Sequence, residues 1–263
     1  MNIWVIGAST GIGLALAKAY AQAGHKVIIS ARSQSALDEI AQAGSNMTPL
    51  ALDVTQDNSL REAMDYLAEH EIYLDKVILN AGTCEYIDSY EIERDTVRRV
   101  METNFFGVLN VLQSLLPWLR IGKGNGVTQP QIVFVSSSVT YQALPRAGAY
   151  GASKAALRYF AECLRADLVH ENFDIRIVSP GFVKTPLTDK NDFPMPFLLE
   201  VDDAARRIVK GLAGSAFDIH FPKRFTWALK FIGVLPDWLR LPIIAKASRH
   251  DLKQLPRHSN QEA

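Results

Sequence analysis

The sequence has little cysteine, no excess of either charge and no long apolar run free of turn residues. Its two cysteines, Cys84 and Cys163 among 263 residues, cannot build a disulfide framework, and neither clusters with histidine at zinc-binding spacing. A reducing cytoplasm is the expected compartment. Lys and Arg number 28, matched by 28 Asp and Glu, so the net charge is zero. That balance excludes whole-protein attraction to nucleic acid or to an anionic membrane. The first residues carry no basic leader before an apolar stretch, so no secretory signal is expected. The longest uncharged stretch, 124–145, contains two prolines, three glutamines and three consecutive serines, a composition that would not cross a bilayer. The six histidines are scattered, and no metal site is expected.

What is present is apolar and periodic. At 48% hydrophobic, the chain can bury a full core and is not disordered. Short runs rich in Val and Ile at 3–6, 26–30, 49–52, 76–79, 131–136, 175–179 and 217–221 are apolar on both parities, as parallel strands covered on both faces must be. Helix-period segments lie between them at 13–23, 35–43, 59–69, 92–119, 150–169 and 203–212. Strict alternation predicts an α/β fold of Rossmann type, doubly wound, with a seven-stranded, mostly parallel sheet and helices on both faces. Gly24 and Gly44 stand just past the first two helices, in positions that stop a helix. Residues 1–220 form the expected dinucleotide-binding and catalytic unit. Residues 221–263 form an apolar and basic extension, either part of that unit or an interface.

The first strand-to-helix turn reads Ile6-Gly7-Ala8-Ser9-Thr10-Gly11-Ile12-Gly13. Glycines there permit a tight turn and let a pyrophosphate approach backbone N–H groups at a helix N-terminus, though such turns also occur for packing alone. The second strand ends without an acid between Ile28 and Ala36; Arg32 stands where a ribose 2′-phosphate would be met, or is an ordinary solvated arginine. Asp53 either accepts from an adenine amino group or caps its own turn. Asn80-Ala81-Gly82 closes the fourth strand on the same edge. Tyr150 and Lys154, four apart on a helix, share a face. A cation near a phenol can lower its pKa from ~10 by roughly 1–3 units. Ser137, thirteen residues before Tyr150, ends the fifth strand at the sheet edge where open α/β proteins bind ligands.

Taken together, Gly7/Gly11/Gly13, Asn80-Ala81-Gly82, Asn104, Ser137, Tyr150-x-x-x-Lys154 and Pro180-Gly181 resemble the short-chain dehydrogenase/reductase family over roughly residues 1–220. The resemblance implies an NAD(P)-dependent enzyme acting on CH–OH donors, with NADP(H) favoured over NAD(H) because of Arg32, and a homodimer or homotetramer. It implies catalytic roles for Asn104, Ser137, Tyr150 and Lys154: Tyr150 as acid/base, Lys154 lowering its pKa and holding the nicotinamide ribose, Ser137 binding the substrate oxygen, and Asn104 holding a relay water. Cofactor contacts are implied at Gly7, Ser9, Thr10, Gly11, Ile12, Gly13, Arg32, Asp53, Val54, Asn80, Ala81, Gly82, Tyr150, Lys154, Pro180, Gly181, Val183 and Thr185. One departure is Ile6, where the family commonly has threonine; a bracing hydroxyl is lost and the backbone cradle stays.

The remaining features are plainer. Cys163 reads as a core residue and Cys84 as unreactive. Glu91, Glu93, Arg94, Asp95, Arg98 and Arg99 read as a solvated or interface face, backed by the stripe Val97, Val100, Met101, Phe105 and Val108, which fits either a subunit contact or the sheet. Residues 187–200 resemble a variable substrate lid, whose apolar content points to a hydrophobic small-molecule substrate. Residues 221–247 mix aromatics with cations, a pattern that fits subunit or core packing, a cover over the substrate mouth, or peripheral membrane contact. The expected activity interconverts a carbonyl and a secondary alcohol; the alternative is an NADPH-binding regulatory or assembly protein with little turnover.

Overall fold

The computed structural model describes residues 1–44, 46–87, 92–189 and 191–246. Period-two alternation sorts each strand between two cores. In β1 (Asn2–Ile6), Trp4 and Ile6 enter one apolar layer and Ile3 and Val5 the other. The same division holds in β2 (Lys26–Ser30), β4 (Lys76–Leu79), β5 (Gln131–Val135) and β6 (Asp174–Pro180), with Ile28, Val77, Phe134 and Ile177 on the first side and Ile29, Ile78, Val133 and Val178 on the second. With β3 (Met47–Pro49) and β7 (Asp218–Phe221) they form a seven-stranded sheet in the order β3-β2-β1-β4-β5-β6-β7, parallel at every pairing. The sheet is thus wholly rather than mostly parallel. The order reverses between β1 and β4, and ligands of doubly wound sheets sit at the carboxyl ends of such strands.

Helices α3 (Asp57–Glu69), α5 (Gly107–Gly124) and α6 (Gly148–Asp167) cover the first layer through Leu67, Leu115 and Leu157; α1 (Gly11–Gln22), α2 (Gln34–Gln42) and α7 (Val201–Leu212) cover the second through Leu16, Leu37 and Ile208. Gly24 ends α1 with φ +83, as a left-handed stop requires. After α2 the positive φ falls on Asn46 instead of Gly44.

Several boundaries differ from the pattern reading. β3 lies at 47–49, not 49–52. Leu50 and Leu52 still donate to the Ile29 and Ala31 carbonyls at 3.0 and 2.9 Å, so the chain follows β2 on one edge while it bends toward Asp53. The expected single helix over 92–119 is α4 (Arg94–Met101), a π turn over 102–106, and α5. The whole run 94–124 is long and apolar enough to cross a membrane. Val108, Val111, Leu112, Leu115 and Leu119 are nevertheless core residues against the sheet. Arg98–Asp95 and Arg99–Glu85 form exposed ion pairs on the charged face, whose Glu91 lies outside the described residues.

β7 runs through the boundary expected at 220. Beyond it the chain forms α8 (Lys223–Gly233) and α9 (Asp237–Ala245), separated at Pro236, and Pro242 is accommodated inside α9. Residues 247–263 of the extension lie outside the described residues. Cys163 is exposed rather than core. Leu157, Ala161 and Leu164 take the inward face of α6, and Cys163 falls on the other side.

Candidate active site

Two cavities lie at the carboxyl edge of the sheet and share Leu187 in their walls. The first, about 720 Å³, opens over the glycine turn. Gly7 has φ +87, and a Cβ there would lie 2.6 Å from the Ala81 nitrogen; a Cβ on Gly13 would lie 2.1 Å from the Gly7 carbonyl oxygen. Only glycine fits either place. Asn80 Nδ2 donates to that same carbonyl at 2.7 Å, so Asn80 braces the turn as well as lining the cavity. Thr10 is the N-cap of α1 yet its side chain makes no capping bond, and the first turn holds no acid. The opening N–H groups of α1 therefore face the cavity without a side-chain acceptor, as an anion cradle requires.

Ser9, Thr10, Gly11 and Ile12 line this cavity with Arg32, Asp53, Val54, Asn80, Ala81, Gly82 and Thr185. Arg32 is exposed at the end of β2 and makes no hydrogen bond or ion pair among the described residues. Asp53 Oδ1 accepts from the Thr55 nitrogen at 3.0 Å and its hydroxyl at 2.7 Å, so the turn-capping alternative is realised, with Oδ2 left over. Thr185 packs on Gly11, where a Cβ would meet its methyl at 3.1 Å. Val183 is buried, bridges to Leu199 and lines neither cavity.

The second cavity, about 540 Å³, has Ser137 and Tyr150 on one wall and the 187–196 segment on the other. Ser137 follows β5 and caps a short 3₁₀ turn, its Oγ accepting from the Val139 nitrogen at 3.3 Å. Tyr150 stands in the first turn of α6 and shares that wall with Ser137. As period two requires, Ser136 points elsewhere, donating to the Lys154 carbonyl at 3.3 Å. Lys154 is buried one turn beyond Tyr150; its Nζ donates to the Val135 carbonyl at 2.9 Å and sits 5.9 Å from the Tyr150 ring centroid.

Burial pushes the Tyr150 phenol up, well above the usual tyrosine range, with Ser137 alone pulling the other way. It also pushes the Lys154 ammonium down to about 8. The expected lowering of the phenol by Lys154 is therefore outweighed: desolvation acts on both groups, and the cation is held by a backbone carbonyl rather than by the phenol.

Asn104 lies in the π turn, and both of its amide protons are used. Oδ1 accepts from the Thr83 nitrogen at 2.7 Å, and Nδ2 donates to the Thr83 carbonyl at 2.8 Å and to Ser153 Oγ at 2.9 Å. It ties the loop after β4 to α6 next to Tyr150, and Oδ1 keeps a second lone pair. Gly181 lines the second cavity, donates to the Phe221 carbonyl at 2.7 Å, and packs under Phe225 of α8. Pattern reading missed Tyr86 and Arg146, and it placed Asn191 only within the lid and Phe225 only within the extension. Tyr86 donates to Asn191 Oδ1 at 2.9 Å, and Arg146 pairs with Asp192 at 3.0 Å, fastening the lid segment to the wall carrying Tyr150. None of these four sits in a motif; chain folding alone brings them together.

A family model for short chain dehydrogenases matches residues 1–194. An uncharacterized oxidoreductase of Myxococcus xanthus is 34% identical over 249 residues, which cover 93% of this chain and 95% of that one. The 11-beta-hydroxysteroid dehydrogenase 1A of Arabidopsis thaliana is 34% identical over 201 residues, 73% of this chain and 54% of that protein. Among solved structures, a short chain dehydrogenase from Burkholderia cenocepacia in complex with NADP superposes with a TM-score of 0.78 at 23% identity, covering 94% of this chain and 96% of that one, which shows the shared fold. The chain belongs to the short-chain dehydrogenase/reductase family of NAD(P)-dependent oxidoreductases.

Proposed function

We propose that the protein prefers NADP(H) and interconverts a carbonyl and a secondary alcohol on a hydrophobic small molecule, with Tyr150 as acid/base. The observation that carries this reading is the placement of Ser137 and Tyr150 together on the wall of an apolar cavity that meets the glycine-turn cavity at Leu187. The uncapped N–H groups of α1 and the unpaired Arg32 fit the phosphates of a dinucleotide, and Arg32 fits a 2′-phosphate in particular. When bound, the nicotinamide supplies or takes up the hydride.

The chain's own groups handle the oxygen. Ser137 donates to the carbonyl, holding the charge that develops on it. Tyr150, kept neutral by its burial, delivers its proton to that oxygen; an alkoxide is basic enough to take it from a phenol with a raised pKa. Lys154, anchored on Val135, presents its cation beneath Tyr150, and Asn104 fixes the approach of α6. Phe182, Phe193 and Phe225 in the cavity wall suit an apolar substrate. We also propose a cytoplasmic setting, in keeping with two free thiols, and a homodimer through α4–α6, in keeping with Phe106 and Tyr159, 46% and 73% exposed on that side.

The test incubates NADPH deuterated on either nicotinamide face with wild type and Tyr150→Phe in a mixed lipid and polar metabolite extract. An alcohol labelled only by wild type is expected. Equal labelling by Tyr150→Phe removes Tyr150 from the chemistry, and NADPH binding without any label favours the regulatory alternative.

A further inference from the structure

Helix α9 contains Trp238, Leu239, Leu241, Ile243 and Ile244 but no buried residue. Trp238 is 74% exposed and Leu241 54%. On α8, Arg224, Trp227 and Phe231 fall at i, i+3 and i+7 on the outer face, while Thr226 and Leu229 are buried. Val234, between the helices, is exposed as well. The lid adds Phe197, whose ring lies 6.4 Å from that of Phe225, and Phe225 lines the apolar cavity. The exposed aromatics are therefore continuous with the rim of the proposed substrate cavity. Monomers rarely leave apolar surface of this extent uncovered unless it binds something.

Charge identifies the occupant. Residues 222–246 carry Lys223, Arg224, Lys230, Arg240 and Lys246 against the single acid Asp237. Asp218 engages Lys230 and Asp237 engages Arg240, while Arg224 and Lys246 form no ion pair among the described residues. The sequence that follows adds Arg249, Lys253 and Arg257 against Asp251 and Glu262. Lysine is depleted from the cores of protein–protein interfaces, whereas tryptophan flanked by Lys and Arg suits the headgroup layer of a bilayer.

We propose that α8 and α9 form a docking face for an anionic lipid bilayer, lying in its interface with Trp227, Phe231, Trp238 and Leu241 among the acyl chains and Arg224 and Lys246 at the phosphates. The mouth of the cavity then faces the lipid, from which an apolar substrate enters. The choice of substrate rests on the function proposed above; the docking does not.

The experiment uses the full chain with vesicles of phosphatidylcholine alone and of phosphatidylcholine mixed with phosphatidylglycerol. Wild type is expected to sediment with the anionic vesicles, to be released by salt, and to shift its tryptophan emission to the blue. Trp238→Glu/Leu241→Glu and, separately, Arg224→Glu/Lys246→Glu are each expected to weaken partitioning about tenfold or more. NADPH binding, followed in every variant, reports that the sheet is intact. The charge-reversal pair alters only exposed side chains and decides the matter if the first pair misfolds. Wild type that ignores anionic vesicles overturns the proposal. So does a mass by light scattering that falls from dimer to monomer in either double variant without change in vesicle binding, which assigns the face to a second copy of this chain.

Discussion

The ammonium of Lys154 is anchored to the carbonyl oxygen of Val135, 2.9 Å away, and not to the phenol of Tyr150. Val135 is the last residue of β5, two before Ser137, so cation and serine take their positions from the same strand end. Tyr150 reaches them from α6, one helical turn before Lys154. The placement of all three is set by how α6 packs on β5, and Asn104 locks that packing through Ser153, whose hydroxyl donates to the Tyr150 carbonyl at 2.7 Å.

Burial of Lys154 has a measurable consequence. Its ammonium falls from the ordinary 10.5 to about 8 in the folded chain. Between those values the unfolded chain holds the proton and the folded chain does not, so this residue makes stability rise with pH; below about 8 the buried charge opposes folding. Lys154→Met removes the charge and leaves the Val135 carbonyl without its donor. The variant is expected to be more stable than wild type by about 1–2 kcal/mol at neutral pH, after the lost hydrogen bond is counted. The advantage should shrink as pH climbs past 8 toward 10.5. Urea unfolding of both proteins across that range checks it, and a difference that does not vary with pH speaks against a buried, destabilised ammonium.

Arg32 offers a test of cofactor choice. Its guanidinium is exposed in the wall of the glycine-turn cavity with no partner among the described residues. A charge-assisted bond to a 2′-phosphate contributes about 1.5–3 kcal/mol, so Arg32→Ala should weaken NADPH roughly 10- to 100-fold. NADH affinity should stay within a few-fold, and Arg32→Asp should reverse the preference. Fluorescence titration with each dinucleotide decides; a variant that still prefers NADPH shows that another group reads the phosphate.

Strand parity and the glycine turn were legible because each depends on residues close in sequence. Trp4 and Ile6 must face one layer and Ile3 and Val5 the other, and Gly7 and Gly13 have no room for a Cβ. Features set by distant contacts were not legible. Asn104 sits in a π turn that nothing in its apolar periodicity announces, because the extra residue is accommodated by bonds to Thr83 and Ser153. Cys163 stands next to the buried Leu164 in sequence, yet the inner face of that stretch is taken by Leu157, Ala161 and Leu164. The electrostatics of Tyr150 depend on burial, which the four-residue spacing to Lys154 does not report.

The two cysteines should react unequally. Cys163 is exposed on α6, whereas Cys84 lines the apolar cavity, where burial pushes its thiol up. A thiolate-selective chromogenic disulfide at neutral pH is expected to label one thiol per chain rapidly and the second at least ~10-fold more slowly. Cys163→Ser should abolish the fast phase. If the fast phase survives in Cys163→Ser, the cavity thiol is the reactive one and the cation of Lys154 outweighs desolvation.

Two glycines separate a site-bearing constraint from a merely conformational one. A Cβ at Gly13 would stand 2.1 Å from the Gly7 carbonyl oxygen and 2.6 Å from Asn80 Nδ2, the two atoms whose hydrogen bond closes the turn. At Gly24, with φ +83, a Cβ meets nothing within 4 Å. Gly13→Ala must therefore push α1 off β1 or break the Asn80 brace, at a cost of about 1–3 kcal/mol, and it should lower NADPH affinity at least ~10-fold because the helix N-terminus moves. Gly24→Ala has space but an unfavourable left-handed backbone, a cost of about 1 kcal/mol, and it lies at the far end of α1 from the turn. Its NADPH affinity should equal that of wild type. Denaturant unfolding gives the two costs and dinucleotide titration the two affinities. Equal loss of NADPH in both variants would mean that cofactor binding tracks general stability, not the contact between Gly13, Gly7 and Asn80.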